Sequence, residues 1–188
     1  MSRRLCLVTG ASAGIGAAIA RTFAKAGYDV ALTARRTDRL EALADEIRLR
    51  FGVETFVIAA DLAQPDAADQ ILAELASHGR VVDALVNNAG YGLPGTYASS
   101  RWEDQRDFLQ VLLVAVCDMT HKDLPGMVER RFGRVINVAS LAGLMPGSSG
   151  HTLYGATKSF MVRFSQSLHL ESAGTGVHVS ALCPGFTY

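Results

Sequence analysis

Leu5-Cys6-Leu7-Val8-Thr9-Gly10-Ala11-Ser12-Ala13-Gly14-Ile15-Gly16 decides the fold. The apolar run Leu5 to Val8 reads as a short buried strand. Ile15, Ile19 and Phe23, with Ala18 and Ala26, make a helical stripe that Gly27 closes. Strand, glycine turn and helix in that order let backbone approach a phosphate. The helix N-terminus then holds the anion through unpaired N–H groups and its dipole. The spacing Gly-x-x-x-Gly-x-Gly is one residue longer than the usual dinucleotide fingerprint, so the turn alone reads equally as a tight strand–helix junction.

Outward from this turn the same alternation continues. Val30 to Thr33 is a second strand, and Thr37-Asp38 starts a helix with Leu40, Leu43, Ala44 and Ile47 at helical spacing, stopped by Gly52. Thr55 to Ala59 is a third strand, Pro65 to about Ser77 a third helix, and Val82 to Val86 a fourth strand. Ser100 with Glu103 reads as a capping box for a long helix that Pro125-Gly126 interrupts. Arg134 to Ala139 is a fifth strand, a helix runs from about Leu153 to Ala173, and Gly176 to Leu182 is a sixth strand. The expected fold is α/β: a doubly wound parallel sheet covered on both faces, a Rossmann-like three-layer sandwich, in one domain over 1–188.

Bulk chemistry narrows the function. Of 188 residues 49% are hydrophobic and 19% charged, a globular balance, and 18 Lys+Arg offset 18 Asp+Glu. No net field recruits nucleic acid or an anionic membrane surface. Cys6, Cys117 and Cys183 are odd in number, far apart and in apolar segments, which suits reduced thiols and no metal site. The first strand begins almost at once, leaving no room for a signal peptide, and no apolar stretch is long enough to span a bilayer. A cytoplasmic protein is expected.

In open parallel sheets ligands lie beyond the carboxyl ends of the strands. A free ribose 2′-OH calls for an acidic residue about 20 residues past the glycines. That place holds Ala34, followed by Arg35 and Arg36. Two cations at a helix start oppose the dipole, and a 2′-phosphate would offset that cost while accepting guanidinium hydrogen bonds. NADP is therefore favoured over NAD. Tyr154 and Lys158, four apart, share one helix face. A lysine charge about 5 Å from a phenolate stabilises it by roughly 3 kcal/mol at an effective dielectric near 20. Ser140, leaving the fifth strand, can donate to a substrate carbonyl or simply cap a turn.

Taken together, Thr9-Gly10-x-x-x-Gly14-x-Gly16, Asp61-Leu62, Asn87-Asn88-Ala89-Gly90, Ser140, Tyr154-x-x-x-Lys158 and Pro184-Gly185 resemble, in order and along the whole chain, the classical short-chain dehydrogenases/reductases. The resemblance implies that Gly10, Ser12, Gly14, Ile15 and Gly16 line the pyrophosphate and that Arg35 meets the 2′-phosphate. Asp61 and Leu62 would contact the adenine, and Asn87, Ala89 and Gly90 would border the adenosine and central cofactor region. Tyr154 would be the general acid or base, Lys158 would hold the nicotinamide ribose and support the tyrosine, Ser140 would orient the substrate oxygen, and Pro184 and Gly185 would border the nicotinamide. The implied reaction is hydride transfer between NADP(H) and a small carbonyl or secondary alcohol. A homo-oligomer through the two long helices, about 100–124 and 153–173, is also implied.

Two departures qualify the resemblance. Where classical members carry an asparagine in the long central helix, this chain has Leu112, on an apolar stripe with Phe108, Ala115 and Met119. Classical members also continue past Pro-Gly with lid helices and a final strand, so the final strand and substrate lid are expected to be absent here. The sixth strand would then expose an apolar edge at Val177, Val179 and Ala181. Both features suggest an alternative, a nucleotide-binding sensor or scaffold with little turnover.

Overall fold

The computed structural model describes residues 3–185. Its strands are β1 (Leu5–Thr9), β2 (Asp29–Ala34), β3 (Thr55–Ala59), β4 (Ala84–Asn87), β5 (Gly133–Val138) and β6 (Val177–Leu182). All pairings are parallel, in the order β3-β2-β1-β4-β5-β6. The helices are α1 (Gly14–Lys25), α2 (Thr37–Phe51), α3 (Ala67–Ser77), α4 (Trp102–Leu109), α5 (Ala115–Glu129) and α6 (Thr152–Glu171). The chain winds outward from β1 to β3, then returns to place β4 against β1. That reversal is the topological switch point where doubly wound sheets open a crevice.

Period-two alternation explains the layers. Leu5 and Leu7 of β1 pack into one core with Ile71 and Leu75 of α3, Met119 of α5 and Met161 of α6. Cys6 and Val8 pack into the other with Ala17 and Ala20 of α1 and Leu40 and Ile47 of α2. β1 is buried at every position, as a strand covered on both faces should be. The second cover stops short of the β6 edge, where His178, Ser180 and Leu182 stay exposed. Val177 and Val179 turn inward and are buried, so the apolar edge expected from the sequence is not exposed at those two residues.

The long central helix departs most from expectation. It begins at Trp102, with Arg101 as its N-cap and no side-chain cap. The Ser100–Glu103 box does not form because Ser100 Oγ instead donates to Tyr97 O and accepts from Gln105 Nε2 at 2.6 Å. Gln110–Val114 is a π-helical turn joining α4 to α5. Pro125 lies inside α5 and does not end it. The hydrogen bond it forgoes would go to the carbonyl of His121, an exposed residue whose backbone water can reach.

Candidate active site

The carboxyl ends of the strands open into a cleft of about 600 Å³, a size suited to a cofactor. Gly10, Ser12, Gly14 and Ile15 line it from the first turn, and Arg35 from the exit of β2. Asp61 and Leu62 follow β3, Ala89 and Gly90 follow β4, and Ser140, Tyr154, Lys158, Pro184 and Gly185 close the far end.

Two loops are locked together to make the floor. Gly10 has φ +66°, and a Cβ there would meet Ala89 Cα at 2.8 Å, so a side chain would push the β1 and β4 exits apart. Thr9 Oγ1 donates to Val86 O at 3.2 Å and accepts from the Asn88 and Ala89 backbone N–H at 2.9 and 3.0 Å. Asn88 Nδ2 returns a bond to Thr9 O at 2.8 Å. Beyond this floor α1 starts at Gly14, with Ala13 as its N-cap, no side-chain cap and no acidic residue in its first turn. Its free N–H groups and positive end are left for an anion.

The β2 exit supplies matching charge. Arg36 is the N-cap of α2, and its Nη2 donates to Ser12 Oγ at 2.9 Å, which draws it to the glycine turn. Among the described residues no carboxylate lies within ion-pair distance of Arg35 or Arg36. Two guanidiniums at a helix start without an anionic partner fit a phosphate monoester better than a ribose hydroxyl.

Two of the expected residues, Asn87 and Gly16, do not line the cleft. Asn87 is buried, and its Nδ2 donates to Asn137 Oδ1 at 2.8 Å and to Thr120 Oγ1 at 3.1 Å. Asn137 in turn donates to Ser165 Oγ at 2.9 Å. This buried network ties β4, α5, β5 and α6 together, so the Asn87 side chain braces the sheet and does not line the cleft. Gly16 is also off the cleft wall; a Cβ there would meet Asn88 Nδ2 and Gly10 O at 2.5 Å, so it lets α1 pack on the turn.

At the other end, Ser140 caps a short 3₁₀ turn by accepting from Ala142 N at 3.2 Å, and its hydroxyl proton remains available to a ligand. Leu141 N donates to Pro184 O at 3.0 Å, joining the β5 and β6 exits. Lys158 is buried; its Nζ donates to Val138 O at 2.7 Å and sits 5.6 Å from the Tyr154 ring centroid. Burial pushes the lysine down to about 8, with Cys183 nearby acting in the opposite direction. Its ammonium stays charged at neutral pH but is easily discharged.

The central helix forms a wall that carries no motif. Asp107 and Val111 line the cleft from this helix, joined by Tyr91 of the loop after β4, whose ring packs edge-on against Phe108. Burial, with Asp107 next, pushes the Tyr91 hydroxyl above the ordinary phenol value. The only sequence signal for this wall was the apolar stripe, which reads as core. Leu112 lies in the π-turn, fully buried, with its Cγ 3.5 Å from the position of a Cβ on Gly90. π-turns of this kind concentrate at functional sites.

Comparison with known proteins agrees with this geometry. The family model for short chain dehydrogenases matches residues 4–188. The NADP-dependent 3-hydroxy acid dehydrogenase of Salmonella typhi is 41% identical over 185 residues, covering 96% of this chain and 71% of that protein. A short-chain dehydrogenase from Sphingobium yanoikuyae, solved with NADPH, superposes with a TM-score of 0.92 at 34% identity, covering 98% of this chain and 72% of that one. L-Sorbose reductase from Gluconobacter frateurii, solved with NADPH and L-sorbose, gives 0.90 at 33% identity, covering 99% and 70%.

Proposed function

Because the chain belongs to the short-chain dehydrogenase family, we propose that it is an NADP-dependent oxidoreductase that interconverts a small carbonyl and its secondary alcohol. The observation that carries this reading is one cleft with an unpaired arginine pair at one end and Ser140, Tyr154 and Lys158 at the other. The residues fit the cofactor: the uncapped N-terminus of α1 suits a pyrophosphate, and Arg35 and Arg36 suit a 2′-phosphate. Asp61 accepts from Ala63 N through Oδ1, leaving its other oxygen for the adenosine. When bound, NADP(H) supplies or accepts the hydride.

The chain's own residues do the rest. Ser140 Oγ donates to the substrate oxygen and orients the carbonyl. Tyr154 gives its proton to that oxygen in reduction and takes it back in oxidation. Lys158 holds a positive charge over the tyrosine ring and favours the phenolate left behind. Thr9, Asn88 and Gly10 keep the floor in register. No helix among the described residues is long and apolar enough to cross a membrane, and a cytoplasmic enzyme is the reading we adopt. The exposed Trp102, Val114 and Leu170 on α4, the π-turn and α6 suit assembly of copies through the long helices.

Fluorescence titration with NADPH and NADH, followed by a carbonyl panel with wild type and Tyr154→Phe, tests this. NADPH should bind more tightly than NADH, and turnover should depend on Tyr154. Tight NADPH binding without turnover on any carbonyl would instead favour the sensor or scaffold reading.

A further inference from the structure

Charge is segregated along the cleft. Arg35, Arg36, Asp61 and Asp107 all line its adenosine end. Ser140 leaves β5, three strands away from the β2 exit, which is about 14 Å at ordinary strand spacing. The two loops beside Ser140 and Tyr154, residues 91–100 and 139–153, contain no Asp, Glu, Lys or Arg, and one histidine, His151. Lys158 spends a hydrogen bond on Val138 O beneath the tyrosine, and Arg163 of α6 lines a separate recess with Gly143 and Leu144.

Beside the exposed polar Ser148, Ser149, His151 and Thr152, these loops present large apolar side chains. Leu141, Leu144 and Met145 are 47%, 60% and 65% exposed beside the catalytic residues. A shallow recess against Tyr154 is lined by Leu93, Tyr97 and Leu153 together with Ser100, Gln105 and Thr152. The polar groups in the first loop are engaged with one another: Thr96 with Ser99, and Ser100 with Gln105, which also donates to Tyr97 O. The nearest arginines past that loop already have acidic neighbours, Arg101 with Glu103 and Arg106 with Asp107. A carboxylate held next to the reacting carbonyl would therefore lose water and find no cation in either loop.

Building on the oxidoreductase reading above, we propose that the substrate is an uncharged carbonyl compound with apolar substituents, recognised by the Leu93, Leu141, Leu144, Met145 and Leu153 surface, and that carboxylate-bearing carbonyls are rejected. This separates the chain from its relative of 41% identity, whose name assigns it 3-hydroxy acids.

Ethyl 3-oxobutanoate and 3-oxobutanoate differ at one end by an ester against a carboxylate and test this directly. NADPH consumption gives kcat/KM for each, and saturation-transfer NMR on the protein with NADP⁺ reports binding without turnover. The ester should be preferred by on the order of 100-fold in kcat/KM, and only the ester should show saturation transfer. Leu144→Arg should narrow the gap by improving the acid. Equal or better use or binding of the acid in wild type would overturn the proposal, and so would failure of the ester to bind at all. Ester binding without turnover of either compound would support the preference for uncharged ligands at this surface while removing the oxidoreductase reading that makes such a ligand a substrate.

Discussion

The two ends of the cleft are built by opposite means. At the end lined by Arg35 and Arg36, what the cleft offers a ligand is backbone and charge. The α1 N-terminus is left uncapped, Arg36 is drawn to Ser12, and the β1 and β4 exits are bolted together through Thr9 and Asn88. At the other end Ser140, Tyr154 and Lys158 stand beside loops 91–100 and 139–153, which carry no Asp, Glu, Lys or Arg, and Lys158 is buried. A phosphate is the same in every dinucleotide, so its receptor is fixed in backbone geometry. A substrate differs from enzyme to enzyme, so its receptor is left to exposed loop side chains. Binding and chemistry should thus be separable by mutation.

Tyr154→Phe tests that separation most severely. Loss of the proton donor should lower kcat by roughly 1000-fold while NADPH affinity stays within error; a parallel loss of affinity would show that the ends are not independent. The complementary change is Arg35→Ala with Arg36→Ala. Losing the charge-assisted bonds should weaken NADPH by about 100-fold and leave NADH nearly unchanged, as read by nicotinamide fluorescence. Similar losses for both cofactors would remove the 2′-phosphate role.

Smaller effects sharpen the contrast through pH. The folded-state value for Lys158 lies below its ordinary value, so its charge is present below about 8 and lost above it. Turnover in the reducing direction should therefore fall by about tenfold from pH 7 to pH 9, and Lys158→Gln should be slow throughout without that limb. Asp123, on the core-facing side of α5, lies outside both ends. Burial raises its carboxyl to about 7, with Arg130 opposing, and its Oδ2 has no hydrogen-bond partner. The folded protein holds a proton here that the unfolded chain has released, so stability falls as pH rises from about 4 to about 7. Asp123→Asn should stabilise the protein above pH 7 by on the order of 2 kcal/mol and do little near pH 4. Urea denaturation at the two pH values checks it, and a pH-independent gain would deny the buried carboxylate any part.

How much of this could be read from the chain follows from which interactions are local. The strand–turn–helix at Leu5 to Lys25 shows in sequence because apolar periodicity and glycine spacing act within a few residues. Arg35 and Arg36 show because they sit where an acid is otherwise needed. Tyr154 and Lys158 show because one helical turn joins them. The buried engagement of the Asn87 side chain had no local signature because its partners, Asn137 and Thr120, come from another strand and helix. The Ser100 cap failed because Gln105 and Tyr97 compete for the same hydroxyl. Tyr91, Asp107 and the π-turn had no local signature; they become visible only when the central helix crosses the cleft. Leu112 was legible as a buried residue but not as the one packed over Gly90.

Isotope transfer separates hydride chemistry from cofactor binding in one assay. NADPH carrying deuterium at its transferable position is incubated with the protein and ethyl 3-oxobutanoate, and the alcohol product is analysed by mass spectrometry. Wild type should place one deuterium at the carbinol carbon, and Tyr154→Phe almost none at equal NADPH occupancy. Saturating NADPH with no deuterated alcohol from wild type, or equal deuteration by Tyr154→Phe, would contradict the proposed chemistry.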